Sequence, residues 1–411
     1  MALETERSAG ATGSRADPRP VLLALISMLL KGFGRAWTRH GAWIGLVLLG
    51  TFFGAVMLIG WLRPVHAWDM VAYLAAAWKG DFATPQALHH AVWEAVRLGT
   101  EPDRFAVLAE GDAYRVRQFT DPLAFYSQLG MYEVKWLYVQ MIRWIAPFTG
   151  AMQAGYAINV AACAGLFAIL AWWLHSVRML NLAPLVIALL MVAGFPALAM
   201  AESPDLLNVM LVAAALLLLD RDRMIAGSLV GILAVAVRPD SIVLVAGLMG
   251  TFWLWRQRGA AVLAVAFAAC VLVYAGIQSV TDHPGWWPHL WFSTYHMQEN
   301  MQDFRPDFSL KVYSVAFAWN LVRSAFENSW LGLYMAGLAA WALLSSGGMS
   351  FGRRRTALLA AAMGAIALKF MIFPLHDGRT YFPMLVPALV IMLAETRDRA
   401  RERAGVPHVP Q

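Results

Sequence analysis

The stretch Glu202–Asp240 decides the fold, and it reads ESPDLLNVMLVAAALLLLDRDRMIAGSLVGILAVAVRPD. Two apolar runs flank the short charged turn Asp-Arg-Asp-Arg, and the stretch begins with acidic residues and ends in Arg-Pro-Asp. Apolar runs joined by a tight polar turn predict a helical hairpin that crosses a bilayer twice, because helices satisfy their own backbone polar groups there. Ionisable residues at the ends of such helices are costly to place near lipid, so they are candidates for a functional site.

The composition of the whole chain predicts an integral membrane protein. Apolar residues make up 60% of the 411 residues and charged residues only 14%. In a soluble domain roughly half of the residues are apolar and about a quarter are charged. We therefore expect an all-α polytopic bundle of about ten transmembrane helices. The expected spans are residues 41–62, 152–176, 184–201, 205–219, 223–237, 241–255, 260–280, 330–346, 356–374 and 381–395.

The net charge of +6 does not indicate a nucleic-acid partner, because the Lys and Arg residues lie beside apolar spans, where they set orientation. Every second short loop is basic, and the loops between them carry acids or mixed charge. The positive-inside rule then places both termini in the cytoplasm. The basic positions are Arg178, Arg221, Arg223, Arg256, Arg258, Arg353, Arg354, Arg355, Arg397, Arg399, Arg401 and Arg403.

This topology predicts the domain organisation. Residues 1–40 form a cytoplasmic segment with an interfacial helix near 21–30, residues 41–396 form the transmembrane domain, and residues 397–411 form a basic tail. Two long segments, 63–151 and 281–329, lie outside. Amphipathic stretches with aromatic and cationic residues in the first of them predict helices that lie at the membrane interface.

Four groups of ionisable and aromatic residues fall on the outer side. Within the first group, two residues are one helical turn apart and share a face. A carboxylate beside several cations at a membrane surface can accept a proton from an attacking hydroxyl, while guanidinium groups hold a phosphate leaving group. The groups are Asp69 and Tyr73; Tyr132, Glu133, Lys135 and Tyr138; Glu202, Asp205, Arg238 and Asp240; and His376, Asp377, Arg379 and Tyr381.

Four blocks of the chain resemble, in order, the GT-C superfamily of membrane glycosyltransferases. HAWDMVAYLAAAWKGD, residues 66–81, is similar to the family's first outer loop, and YEVKWLYV, residues 132–139, to the segment that ends it. Residues 202–245 resemble the family's small-residue helix ending in Arg-Pro-Asp. HDGRTYFPMLVPALVIML, residues 376–393, looks like the Arg-Tyr-x-x-Pro start of a late helix.

The resemblance implies a GT-C-like bundle that transfers a hexose or pentose, as mannosyl- and arabinofuranosyltransferases of this superfamily do. The donor would be a polyprenyl-phosphate-linked sugar and the acceptor a glycan or glycolipid of the cell envelope. Transfer would occur with inversion on the periplasmic side of the bacterial inner membrane. The implied roles are base for Asp69; donor-phosphate binding for Arg238, Arg379 and Lys135; and substrate binding for Tyr73, Tyr138, Glu202, Asp205, Asp240, His376 and Tyr381.

No cofactor is expected. Met70, rather than a second acid, follows Asp69, so a divalent metal, although possible at such a site, is not supported by the motif. His289 and His296 could share a helix face, but His283 is separated from them by two prolines, and interfacial histidines among tryptophans are favoured over a zinc site.

Simpler interpretations stay open for the same residues. Asp69, Glu202 and Asp205 could cap helices, and Arg238 could pair with Asp240 or snorkel from a helix end. Other functions also remain open: an O-antigen-type polymerase or ligase, and a non-catalytic transporter of lipid-linked sugars. A transporter would need charged or broken helices near the midplane, where Lys369 is the main charged residue.

Overall fold

The computed structural model describes residues 19–346 and 352–403, and this part of the chain is helical without β-strands. Short 3₁₀ turns connect some of the helices, at Lys79–Asp81, Leu180–Leu182, Pro239–Ser241 and Gly378–Thr380. The α-helices are α1 (Arg19–Leu62), α2 (Trp68–Trp78), α3 (Pro85–Gly99), α4 (Pro102–Glu110), α5 (Ala113–Thr120), α6 (Pro122–Ser127), α7 (Gly130–Glu133), α8 (Trp136–Thr149), α9 (Gln153–Ser176), α10 (Ala183–Val192), α11 (Phe195–Met200), α12 (Asp205–Asp220), α13 (Met224–Val237), α14 (Ile242–Leu254), α15 (Ala260–Ser279), α16 (Trp286–Thr294), α17 (Leu310–Phe326), α18 (Trp330–Ser346), α19 (Arg353–Ile372) and α20 (Phe382–Arg403).

Four of the described helices are long and apolar enough to cross a membrane, namely Leu23–Leu62 within α1, α9, α15 and α19. A fifth span results if α17 and α18, which are bent by 81°, count as one broken span. Shorter apolar helices lie at Leu180–Val192, Met224–Val237 and Pro239–Leu254. The described residues therefore confirm an all-helical chain with several potential spans, but they do not confirm ten.

Three elements differ from the sequence-based expectation. The expected interfacial helix near residues 21–30 continues without a break into the first span as α1, because no proline interrupts residues 21–63 and Pro64 follows the helix end. The expected span 184–201 is split into α10 and α11 by Gly194, whose φ of +83° is left-handed. Residues 310–326, expected within an outer segment, form the 17-residue helix α17.

The first outer segment is a packed helical layer that includes α2 to α8. Helix α2 was expected to lie at the membrane interface, but every residue from Met70 to Ala77 is buried. Its small residues, Ala75 to Ala77, allow close approach to its neighbours α3, α7 and α8. Helix α2 is thus part of the hydrophobic core, and its first turn, which carries Asp69, is held in a fixed place.

Helix α12 lies at the centre of the bundle and contacts α9, α13, α19 and α20. Its N-terminal turn faces the turn between α13 and α14, where Pro239 stops α13 because proline cannot continue a helix. The short turn before α20 lies on the same side, since the first residues of α12 and the residues before α20 meet in ion pairs. The start of α2 joins these three helix ends, because Asp69 in its first turn forms an ion pair with Arg379.

The two outer segments are joined by ion pairs. Nζ of Lys79 lies 2.6 Å from a carboxylate oxygen of Glu133 and 2.7 Å from one of Asp282. The backbone of α7 also touches the second segment, because a Cβ atom on Gly130 would lie 2.1 Å from the carbonyl oxygen of Asp282. This junction fixes residues 282–289 against the end of α7.

Candidate functional site

Asp69 lies in the first turn of α2 and is partly exposed, with 24% of its side chain accessible. Nη1 of Arg379 lies 3.0 Å from Oδ2 of Asp69. The hydroxyl of Tyr132 donates to Oδ1 of Asp69 over 3.4 Å. The carboxylate therefore has one guanidinium and one phenol as partners and still faces an accessible space.

Arg379, in the 3₁₀ turn before α20, links three carboxylates. Its Nε atom lies 2.7 Å from Oδ2 of Asp377, and its backbone N–H donates to Oδ1 of the same residue over 3.0 Å. Its Nη1 atom is also 3.8 Å from Oδ2 of Asp205. Burial opposes the charge of Arg379, but Asp69 and Asp377 raise its pKa above the usual value.

Arg238 lies where α13 ends and binds two carboxylates. Its Nη2 and Nε atoms donate to Asp240 over 2.9 Å and 3.2 Å, a bidentate contact, and it also forms an ion pair with Asp205. Nζ of Lys369 in turn lies 2.7 Å from Asp240 and donates to the carbonyl oxygen of Thr380 over 2.8 Å. Lys369 thus connects the turn that carries Arg238 with the turn that carries Arg379.

Tyr73 lies on α2 one helical turn after Asp69. Its side chain is buried, and its ring meets those of Tyr132 and Tyr138 edge to face, with each pair of centroids 5.1 Å apart. Burial, and then the charge of Asp69, raise the pKa of the Tyr73 hydroxyl above its usual value. The Tyr73 hydroxyl therefore stays protonated.

No family model, curated protein or solved structure matches this chain. The ion pairs bring together Asp69, Asp205, Asp240, Arg238 and Arg379, which were singled out from the sequence and come from four separate parts of the chain. Such a cluster can accept a proton and bind an anion.

Lys135 differs from the other cations of the site. Its Nζ donates to the carbonyl oxygen of Met131 and lies 5.6 Å from the centroid of the Tyr132 ring. It forms no ion pair with a carboxylate of the described residues, in contrast to Arg238 and Arg379. Burial, and then the nearby Arg238, lower the pKa of Lys135 to about 8.

Glu202 serves the start of α2 and not the ion-pair cluster. Its side chain is fully buried; one oxygen accepts from the backbone N–H of Ala67 over 3.0 Å, and the other lies 3.2 Å from Nδ1 of His66. Burial is the main reason that the pKa of Glu202 is raised. Because Ala67 is two residues before Asp69, Glu202 positions the turn that carries Asp69.

His376 and Tyr381 also lie beside the cluster. Nδ1 of His376 is 3.1 Å from Oδ1 of Asn320, and its carbonyl oxygen accepts from the indole of Trp330. The hydroxyl of Tyr381 donates to the carbonyl oxygen of Leu375, and its fully buried ring stacks on Trp330 with centroids 4.0 Å apart. Both residues hold the turn that carries Arg379 in place. Within the described residues, neither forms a hydrogen bond or an ion pair with Asp69 or Arg238.

Three residues of this region were not assigned a role from the sequence. Asp377 was grouped with Arg379 but given no function, Lys369 was noted only as a charge within an apolar span, and His66 was not considered. The signal for Lys369 was readable, because an ammonium in an apolar helix is costly unless it is paired or reaches a polar site. No such signal marked His66.

Two of the histidines among the tryptophans form a pair. His283 and His289, not His289 and His296, are neighbours, with Nε2 of His283 2.9 Å from Nδ1 of His289. The reason is that α16 ends at Thr294, so that His296 is not on its face. Within residues 19–346 and 352–403 no group of three or more His, Cys, Asp or Glu residues could hold a metal ion.

Proposed function

We propose that this protein is an integral membrane glycosyltransferase of the GT-C type, which moves a sugar from a polyprenyl-phosphate donor to the hydroxyl of a glycan or glycolipid. The observation that carries the proposal is the contact of a partly exposed carboxylate, Asp69, with the guanidinium of Arg379 at a meeting point of helix ends. A base beside cations is what displacement of a phosphate by a hydroxyl requires.

The proposed reaction is a single displacement with inversion. Asp69 accepts the proton of the acceptor hydroxyl, the hydroxyl oxygen forms a bond to the anomeric carbon, and the bond from that carbon to the phosphate oxygen breaks. The electron pair of the broken bond stays on the phosphate, which leaves as polyprenyl phosphate. Arg238, Arg379 and Lys135 stabilise its charge, since guanidinium and ammonium groups bind phosphate oxygens strongly.

A lipid-linked sugar donor fits this site better than a nucleotide-linked sugar donor. We propose about ten spans in a bacterial inner membrane with the cluster on the periplasmic face, and the alternation of basic loops supports this orientation. Potential spans α1 and α15 bury only 22% of their most apolar windows inside the bundle, which supports contact with lipid. A lipid phosphate lies near headgroup depth, where helix-end arginines can reach it.

Release of polyprenyl phosphate tests the proposal. Purified protein is incubated with a panel of polyprenyl-phosphate sugars and candidate acceptors, and the freed lipid phosphate and the glycosylated acceptor are measured by mass spectrometry. We expect both products in equal amounts. A transporter would move the intact lipid-linked sugar between liposome leaflets without cleavage, and a ligase of the O-antigen type would release a diphosphate carrier. Sugar transfer from a nucleotide donor without lipid would contradict the proposal.

A further inference from the structure

The hydrogen bonds around His283 assign the tautomers of two imidazoles. The backbone N–H of Gly285 donates to Nδ1 of His283 over 3.2 Å, so this nitrogen is an acceptor and carries no proton. In a neutral imidazole the other nitrogen then carries the proton. Nε2–H of His283 therefore donates to Nδ1 of His289, 2.9 Å away, and the proton of His289 must be on its Nε2.

Both imidazoles are neutral in this arrangement. Burial, and then the positive charge of Lys135, lower the pKa of His283 to about 4. The same two causes hold the pKa of His289 well below its usual value. A proton on both nitrogens of either ring would also break the chain of donors, because Nδ1 of each ring is an acceptor.

Nε2–H of His289 is the end of this chain, and no acceptor for it exists among the residues that the structure describes. The ring itself is fixed, because His283 holds one side and the ring of Phe373 lies edge-on with centroids 5.3 Å apart. The side chain is half-buried. Because the ring is fixed and only half-buried, this N–H is free to donate to the oxygen of a ligand.

The surroundings of His289 belong to the cluster of Asp69 and the arginines. The backbone nitrogen of His283 would lie 3.0 Å from a Cβ atom on Gly130, and Nζ of Lys135 donates to the carbonyl oxygen of Met131, the next residue. The packing of Asp282 against Gly130 explains this proximity, because Gly130 begins the short helix α7 that leads to Lys135. The donor chain thus packs against the segment that carries Lys135, the cation without a carboxylate partner in the described contacts.

Charge pairing decides which kind of ligand fits. Arg238 is neutralised by Asp205 and Asp240, and Arg379 by Asp69 and Asp377. Lys135 contacts only a backbone carbonyl and an aromatic ring in the described part of the chain. Lys135 is therefore the cation of this region whose charge no carboxylate of the described residues offsets by direct contact, and His289 adds a directed N–H donor.

We infer that Lys135 and His289 together form a phosphate-binding subsite, in which the ammonium and the Nε2–H of His289 bind oxygens of one phosphate group. His283 and the N–H of Gly285 hold His289 in the donating tautomer. The inference rests on the proposed function for the source of the phosphate, a polyprenyl phosphate. The shared chemistry, a phosphate on a lipid, is also present in phospholipid headgroups, so the experiment separates the two sources.

The test measures binding without catalysis. The purified protein in detergent is titrated with polyprenyl phosphate, with the matching polyprenol, and with phosphatidylglycerol, for the wild type and for His289→Leu, His289→Gln, Lys135→Met and His296→Leu. We expect His289→Leu and Lys135→Met to weaken binding of polyprenyl phosphate by about tenfold to a hundredfold, as loss of a hydrogen bond to a charged group does. His289→Gln, which keeps an N–H donor, should retain most of the affinity.

The controls make the outcome decisive. His296→Leu, which removes an exposed imidazole of the same segment, should leave affinity unchanged, and polyprenol affinity should be the same for all variants. Unchanged affinity of His289→Leu, or an equal loss for polyprenol, would overturn the inference. Phosphatidylglycerol binding as tight as that of polyprenyl phosphate would assign the subsite to headgroups instead and overturn the choice of a polyprenyl carrier.

A spectroscopic measurement covers the case in which His289→Leu does not fold. The ¹⁵N signal of the His289 Nε2–H in the wild-type chain should shift on addition of polyprenyl phosphate and not on addition of polyprenol, and its absence of response would overturn the inference. Sugar transfer is not measured in either experiment. A chain that binds polyprenyl phosphate through His289 but transfers no sugar would therefore refute the proposed function alone.

Discussion

Nη1 of Arg379 lies 3.0 Å from Oδ2 of Asp69, although 310 positions separate the two residues in the sequence. Asp69, the proposed base, and Arg379, proposed to bind the donor phosphate, thus neutralise each other's charge. Arg379 can exchange Asp69 for a phosphate oxygen, because Asp377 remains bound to its Nε. Such an exchange would free the Asp69 carboxylate for the acceptor hydroxyl when the donor is in place, so that the donor binds first.

Asp69→Asn should abolish transfer while the protein stays folded. The amide keeps the shape of the side chain but cannot accept the proton, and a positioned base contributes roughly 100- to 10,000-fold. Turnover of a polyprenyl-phosphate sugar and thermal unfolding in detergent measure the two effects. Asp103→Asn, an exposed carboxylate of the same outer segment, is the matched control and should behave like wild type. Near-normal turnover of Asp69→Asn would remove Asp69 as the base.

Arg238→Met and Arg379→Met should differ in stability. Arg238 neutralises Asp205, whose side chain is only 3% exposed, and removal of one partner of a buried ion pair costs about 3–5 kcal/mol. Arg379 is 35% exposed, and its partners Asp69 and Asp377 are 24% and 36% exposed, so its loss should cost less stability than the loss of Arg238 while it weakens use of the lipid donor. Thermal unfolding in detergent measures the difference in stability, and the KM for the lipid donor measures the effect on donor use.

The double variant Arg238→Met with Asp205→Asn is the control for this difference. Asparagine removes the unpaired buried charge, so the double variant should regain part of the stability that Arg238→Met loses. Arg379→Lys should restore donor use only in part, because the ammonium cannot form the bidentate contact of a guanidinium. Equal stability of the two Met variants would contradict the ion-pair assignment of Arg238.

Glu202 should act through the position of α2 and not through proton transfer. Glu202→Ala leaves the N–H of Ala67 and the ring of His66 without their buried partner, which costs about 1–3 kcal/mol, and should reduce turnover by displacing Asp69. Glu202→Gln, whose amide oxygen still accepts from Ala67, should retain most activity. If Glu202→Gln were as inactive as Asp69→Asn, Glu202 would be a reacting acid or base and this account would be wrong.

The convergence of the site residues could be predicted from the sequence because helix ends at one membrane face must meet there. Asp69, Arg238 and Arg379 each stand at the end of an apolar stretch, and alternation of basic loops placed these ends on one side. Which atoms touch could not be predicted. The ion pair of Lys369 with Asp240 and its hydrogen bond to Thr380 depend on the packing of α14 against α19. No local sequence pattern specifies this packing.

The errors in the fold have identifiable causes. The break between α10 and α11 was readable from Gly194-Phe195-Pro196, since a Gly and a Pro two residues apart interrupt a helix, but apolarity over 184–201 outweighed it. The aromatic and cationic ends of α2 predict a helix at the membrane interface, but they do not predict that all of its residues from Met70 to Ala77 are buried within the protein. Its alanine-rich centre instead allows burial among α3, α7 and α8, and burial of a helix in an outer segment depends on partners far along the chain.

Affinity for polyprenyl phosphate should fall as the pH rises through about 8. Burial and Arg238 lower the pKa of Lys135 to about 8, so the ammonium that binds phosphate becomes neutral above this pH, and affinity falls by up to about tenfold per pH unit. The two histidines stay neutral over this range. The charged groups near Lys135 are Arg238, Asp240, Asp69 and Arg379.

Lys135→Arg is the control for this pH dependence. A guanidinium stays charged at these pH values, so the variant should bind polyprenyl phosphate with a nearly flat profile between about pH 7 and about pH 10. Titrations at several pH values, with polyprenol as the reference ligand, provide the measurement. A flat profile for the wild type would show that the charge of Lys135 does not contribute to binding.

The topology predicts which positions are accessible from outside the cell. The native cysteines, Cys163 and Cys270, are buried, so single introduced cysteines can be labelled cleanly with a membrane-impermeant maleimide. Ala83→Cys and Met297→Cys, exposed in the two outer segments, should react in intact cells. Arg223→Cys and Arg353→Cys should react only after permeabilisation, because basic loops stay cytoplasmic. Labelling of Arg353→Cys in intact cells would invert the topology and move Asp69 to the cytoplasmic face, where polyprenyl-phosphate sugars of the outer leaflet could not reach it.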